Sequence, residues 1–262
     1  MRLALSRPSR DRDEARAVFA AARRHGFAGV QAKPSQYQDH LGDPAAFSRC
    51  YGADAGLAVG GLICYWDRDH RRWGERMGAL APFASAVGSE QICLCANVPR
   101  PAGAPPWTDL AASLAEAGRI AADHGCRLSL HNHAGTCFET LADLGSLRDH
   151  LGTAPCGLTF DTAHARKGGV ADLPAAITEL SPYLDNIHLK DVDAAGHFCP
   201  LGRGTLDLGA LAGAIHSSGY DGWLTVDEES RDVGLDEAVT TAVTTLATLG
   251  LRPPSATAAG AG

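Results

Sequence analysis

Four short apolar segments in the second half of the chain each run into side chains that can bind a metal or take a proton. They read Arg127-Leu-Ser-Leu-His131-Asn-His133, Gly157-Leu-Thr-Phe-Asp161-Thr-Ala-His164, Asn186-Ile-His188-Leu-Lys190-Asp191 and Trp223-Leu-Thr-Val-Asp227-Glu-Glu229. Each alternates with period two, the signature of a strand with two different faces. Leu128 and Leu130 oppose Ser129 and His131, Leu158 and Phe160 oppose Thr159 and Asp161, and Leu224 and Val226 oppose Thr225 and Asp227. Carboxylates and imidazoles at the C-terminal ends of successive parallel strands are how a (β/α)8 barrel assembles an active site. An enzyme with a divalent metal is the expectation.

The rest of the chain fits that architecture. Strand-like segments at 3–6, 28–32, 57–65, 91–97, 127–131, 157–161, 186–190 and 223–227 alternate with helix-like ones. The helices are expected at 11–25, 44–51, 71–88, 108–124, 141–151, 173–180, 208–218 and 235–249. Strands separated by helices of this length argue for parallel βαβ units. With 262 residues, a single α/β domain, one (β/α)8 TIM barrel over 1–252, uses nearly the whole chain. The stretch 253–262 (Pro-Pro-Ser-Ala-Thr-Ala-Ala-Gly-Ala-Gly) has nothing to bury and is expected to be a disordered tail.

Composition excludes some function classes. A formal net charge of −7 offers no attraction to a phosphate backbone, so nucleic acid is not an expected partner. No apolar run approaches a membrane span, and the start reads as a strand too short for a signal segment. The eight cysteines contain no Cys-x-x-Cys pair and lie largely in apolar runs, as reduced, buried thiols of a cytoplasmic protein would.

Each polar residue carries two readings. Asp161 ends an apolar strand, where an isolated carboxylate is costly unless a cation or several donors meet it. It could also cap the following helix. His188 shares a face with Lys190 and is either a ligand or a hydrogen-bonded core histidine. Asp227 and Glu229 point to the pocket side by parity, and Glu228 points away. His131 and His133 share a face, and Glu139 follows the Gly135-Thr136 turn, where it either folds over the barrel mouth or favours a helix dipole. A mixed set of carboxylates and imidazole suits Mn²⁺, Mg²⁺ or Co²⁺ as well as Zn²⁺.

The stretches His131-Asn-His-Ala-Gly-Thr-Cys-Phe-Glu139-Thr, Gly157 to His164, Asn186 to Asp191, Gly202-Arg203-Gly204…Asp207 and Gly219 to Asp227 resemble the sugar phosphate isomerase/epimerase superfamily, the xylose isomerase-like barrels. The His-x-His-x-Gly-Thr turn is similar to that of an inosose dehydratase-like subgroup. The resemblance implies a divalent metal, Mn²⁺ first among the candidates, held by Glu139, Asp161, His188 and Asp227. Two departures stand out: His131 occupies the place where many members carry the first glutamate, and Asp227 is one methylene shorter than the usual strand-eight glutamate, so Glu229 is an alternative fourth ligand.

Under that resemblance the metal polarises a hydroxy-carbonyl substrate and stabilises the enediolate left by α-proton removal. His131, His133 and Glu229 are the candidate catalytic bases. His164, Lys190, Arg203, Lys33 and Trp107 are the candidate substrate contacts. Gln31 and Lys33 end strand two and would line the mouth or form a solvated rim, and Tyr65, Trp66 and Trp107 would make an apolar wall for a sugar or simply pack. The expected function is isomerisation or epimerisation of a sugar or keto-sugar. The alternatives are a dehydratase or lyase on a keto-inositol or 3-keto-glycoside, a metal-dependent nuclease disfavoured by the acidic balance, and a barrel that only binds its ligand. The partner is a small carbohydrate or cyclitol, with no membrane, and a homo-oligomer is compatible with all of this.

Overall fold

The computed structural model describes residues 1–51, 56–66, 69, 72–100 and 107–251, so the expected tail lies outside the described residues. Eight parallel strands close into a barrel: β1 (Arg2–Ser6), β2 (Gly29–Ala32), β3 (Ala58–Trp66), β4 (Gln91–Ala96), β5 (Arg127–His131), β6 (Cys156–Asp161), β7 (Leu184–Leu189) and β10 (Trp223–Asp227). The pairing runs β1-β10-β7-β6-β5-β4-β3-β2, and a two-stranded antiparallel ribbon, β8 (Asp191–Val192) with β9 (Phe198–Cys199), follows β7.

The helices form where side chains satisfy their free ends. In α1 (Arg12–Arg24), Asp11 caps the amides of Asp13 and Glu14, acids occupy the first turn and Arg23 and Arg24 the last. Ala15, Val18, Phe19 and Ala22 recur at helical spacing and turn inward. Gly26, at φ 71°, ends the segment in the left-handed region. Besides the ribbon, two short α-helices go beyond the expected elements: α2 (Pro34–Tyr37) in the loop after β2, and α7 (Thr162–Lys167), which begins directly at Asp161. The remaining helices are α3 (Pro44–Tyr51), α4 (Trp73–Ala86), α5 (Trp107–Asp123), α6 (Leu141–Leu151), α8 (Leu173–Leu180), α9 (Leu208–Ser217) and α10 (Leu235–Thr248).

The apolar core lies between strands and helices, while the barrel lumen is unusually polar. Lumen layers in this fold are ordinarily dominated by Val, Ile and Leu. Here Ser129 bonds Thr159 at 2.6 Å, and Thr225 donates to Asn186 Oδ1 at 3.1 Å, all four buried. Trp223 spans the N-terminal end of the lumen, and its ring lies against Gly29 and Gly60, where no side chain competes. A Cβ on Gly29 would sit 2.8 Å from the Ala58 carbonyl and 2.9 Å from the Trp223 ring. Gly29→Ala is therefore expected to destabilise the fold by about 2 kcal/mol, because neither backbone nor indole can yield freely. Chemical denaturation checks this; an unchanged midpoint would contradict it.

Candidate active site

Three buried side chains converge at the C-terminal ends of β5, β6 and β7. The ligand atoms of His131, Asp161 and His188 all lie within 4.8 Å of one another. Asp161 Oδ2 faces His131 Nε2 at 3.5 Å and His188 Nδ1 at 3.7 Å. These separations are too long for hydrogen bonds. They suit donors sharing one ion, since metal–ligand bonds of about 2.1 Å set tetrahedral donors roughly 3.4 Å apart. Asp161 Oδ2 and both ring nitrogens of His188 have no hydrogen-bond partner among the described residues, although both residues are fully buried. Unpaired buried acceptors of this kind are rare and call for a partner.

The chain holds Asp161 in place from two directions. Its other oxygen, Oδ1, accepts from the His164 amide at 2.8 Å and caps α7, so the residue is a helix cap and a potential ligand at once. Asn132 clamps its backbone, accepting from the Asp161 amide at 2.7 Å and donating to its carbonyl at 3.2 Å. Thr162 similarly brackets Lys190: its hydroxyl donates to the Lys190 carbonyl at 2.7 Å and accepts from the Lys190 amide at 3.0 Å. Neither Asn132 nor Thr162 stands out in the sequence, because each acts on backbone atoms at the end of the neighbouring strand, far away along the chain.

Beside this cluster lies a network of two lysines and two acids. Asp227 faces Lys33 Nζ with Oδ1 as an ion pair and accepts from Lys190 Nζ on Oδ2, both at 2.9 Å. Glu229 bridges the same ammonium groups, Oε1 to Lys33 at 2.5 Å and Oε2 to Lys190 at 2.6 Å. Lys190 also stands 3.8 Å from Asp161 Oδ2, and Asp227 Oδ2 stands 3.8 Å from His188 Nδ1. Burial works against both ammonium groups, but the facing carboxylates outweigh it and raise their pKa values. Burial likewise opposes ionisation of Asp161, yet Lys190 and the adjoining imidazoles hold its carboxyl well below the usual range. Burial and the Asp227 charge push Glu229 upward, but the two lysines prevail and its pKa is lowered. The acids and lysines of the network are thus charged at neutral pH.

Loss of Lys33 would leave Asp227 with one ammonium. Removing one partner of a buried pair costs about 3–5 kcal/mol, and with Lys190 still in place Lys33→Met is expected at the lower end, about 3 kcal/mol. Thermal unfolding measures it; a variant as stable as the parent would show that the pair contributes no net stability.

The other expected site residues divide into two groups. His133 and His164 stack at 3.9 Å between ring centroids, next to His131. Burial above all drives the His164 pKa down to about 2 and keeps the ring neutral. Glu139, Trp107 and Arg203 lie apart from the cluster. Glu139 Oε2 accepts from the Gly135 amide at 2.8 Å, and its stem packs where Gly168 leaves room. Trp107 packs on Phe138, and Arg203 pairs with Glu237 on the exposed surface. The glycines flanking Arg203 serve Asp191: the amides of Gly202 and Gly204 donate to its Oδ2 at 3.1 and 3.0 Å. That buried carboxylate anchors the ribbon, which carries Phe198 over Lys190 Nζ at 4.2 Å and beside His164 at 5.0 Å. Phe198 and Glu229 also border a cavity of about 900 Å³ between segments 7–10 and 228–235.

A profile of the xylose isomerase-like TIM barrel family matches residues 19–249. The chain belongs to this family. Among curated relatives, an inosose dehydratase of Klebsiella pneumoniae is 29% identical over 143 residues, 47% of this chain and 48% of that protein. The matched region thus spans about half the length of the curated relatives. In solved structures, an L-ribulose 3-epimerase superimposes with a TM-score of 0.78 at 20% identity, covering 95% of this chain and 94% of the other. A 3-keto-D-glucoside 4-epimerase of E. coli gives 0.74 at 18% identity, covering 95% and 99%. At these identities the superpositions establish the barrel alone. Among the described residues, no helix is long and apolar enough to cross a membrane.

Proposed function

We propose that this chain is a divalent-metal-dependent isomerase or epimerase of a sugar or keto-sugar. Asp161, His188 and His131 would hold the cation, with His131 in the place that the family resemblance gives to Glu139. The observation that supports it most is the group of buried, unpaired donor atoms on Asp161 and His188 with His131 Nε2 alongside. A divalent cation there supplies Lewis acidity to the oxygens of a hydroxy-carbonyl substrate and so acidifies the adjacent C–H. Mn²⁺ remains the first choice, and the N/O donor set also accepts Co²⁺, Zn²⁺ and Mg²⁺.

Glu229 is the acid of the network most open to the mouth, its side chain 25% exposed against 4% for Asp227. Ionised and clamped between Lys33 and Lys190, it takes the α-proton on a carboxylate oxygen. Delivery to the neighbouring carbon, with the hydroxyl proton passing to the former carbonyl oxygen, isomerises the substrate; delivery to the opposite face of the same carbon, by His133 or a lysine, epimerises it. Lys33 and Lys190 bind the substrate's oxygens, and Phe198 with the neutral His164 closes the mouth beside them.

A second reading, dehydration of a keto-inositol or 3-keto-glycoside, is favoured by the similarity to inosose dehydratases. The same proton abstraction begins it, and a lysine ammonium protonates the departing hydroxyl. Incubation of the metal-loaded protein with keto-sugars and 2-keto-myo-inositol in deuterated water separates the two. Deuterium at the α-carbon with no loss of water supports the isomerase or epimerase, and loss of water supports the dehydratase. Metal and ligand binding with neither outcome would leave a binding barrel.

A further inference from the structure

Away from the imidazoles, three lumen residues lie in register on adjacent strands β10, β1 and β2. Ser6 pairs in register with Asp227 across β1 and β10, and the Leu5–Val30 pairing sets Gln31 beside Ser6. Gln31 is fully buried, yet neither its Nε2 nor its Oε1 has a hydrogen-bond partner among the described residues, and the same holds for Ser6 Oγ. Because both amide atoms are unpaired, exchanging them by a flip changes nothing. The amide reaches across to β3, where a Cβ on Gly61 would lie 2.9 Å from Nε2.

A primary amide offers two donors and an acceptor oxygen. Burying all of them without partners is costly, and an apolar side chain of similar length would fill the space without that penalty. We propose that Gln31 and Ser6 form a subsite for a hydroxyl group at the back of the active site, beside Asp227. The hydroxyl comes either from the ring of the carbohydrate substrate or from a resident water. The first source rests on the function proposed above; the second does not.

The test pairs Gln31→Met with calorimetric titration of 2-keto-myo-inositol into the metal-loaded protein and a high-resolution crystal structure of the wild type. If a substrate hydroxyl occupies the subsite, the variant binds the keto-inositol about tenfold or more weakly while keeping its metal affinity. With a resident water, ligand affinity changes less than about twofold, and the crystal shows an ordered water bonded to the Gln31 amide. Carbon atoms alone around the amide, with unchanged ligand affinity, would overturn the proposal. Should Gln31→Met fail to fold, the wild-type crystal, with and without the keto-inositol, decides by what lies against the amide. A wild type that binds neither metal nor keto-inositol sinks the carbohydrate reading and the ring-hydroxyl source with it, while the crystal still decides on the water.

Discussion

Replacing Asp161 with asparagine is expected to weaken divalent-metal binding by at least about 100-fold, more than the loss of an outer partner of a metal site usually causes. The carboxylate is the only anionic donor in the His131–Asp161–His188 cluster, and its Oδ2 has nothing else to bond among the described residues. An asparagine keeps the volume and an oxygen for the His164 amide, so the cap on α7 survives. Asp161→Ala removes the cap as well and adds a stability loss of about 1 kcal/mol. Calorimetric metal titration beside thermal melts separates the two effects. If Asp161→Asn retained full metal affinity, the cluster would not be the metal site.

Glu229→Gln is expected to slow α-proton exchange by about 10² to 10⁴-fold, the range that a positioned base contributes. Metal affinity should change little, because Glu229 contacts lysines rather than the imidazole cluster. Asp227 still pairs with both Lys33 and Lys190, and Asp161 still faces Lys190, so folding should persist. Exchange of substrate hydrogen for deuterium, followed by NMR, measures the loss. Unchanged exchange in Glu229→Gln would move the base to His133.

The barrel and the convergence of its polar strand ends were legible in the sequence because both follow from local rules. Period-two alternation fixed which side of each strand meets the lumen, and helix-length spacings fixed parallel pairing. That logic placed Asp161, His188 and Asp227 together. It could not place Glu139, whose position depends on how the turn after β5 folds, and the turn satisfies its own backbone by drawing the carboxylate to Gly135. Nor could alternation alone reveal that Lys33, from the loop after β2, would share Asp227 with Lys190 from the opposite side of β10. Gly202 and Gly204 suggest room for a ligand; Thr245 fills it at Gly202 and Asp191 fills it at Gly204, while both glycine amides bond Asp191. Long-range pairings of this sort leave no periodic trace.

The most direct test is a Co²⁺ titration followed by visible absorption, run on the wild type, His131→Ala and Glu139→Ala. The expected result is a saturable spectrum in the wild type and in Glu139→Ala, with binding sharply weakened in His131→Ala. A wild type that binds no Co²⁺, or a site that survives loss of His131 but not of Glu139, would contradict a metal centre built on His131, Asp161 and His188.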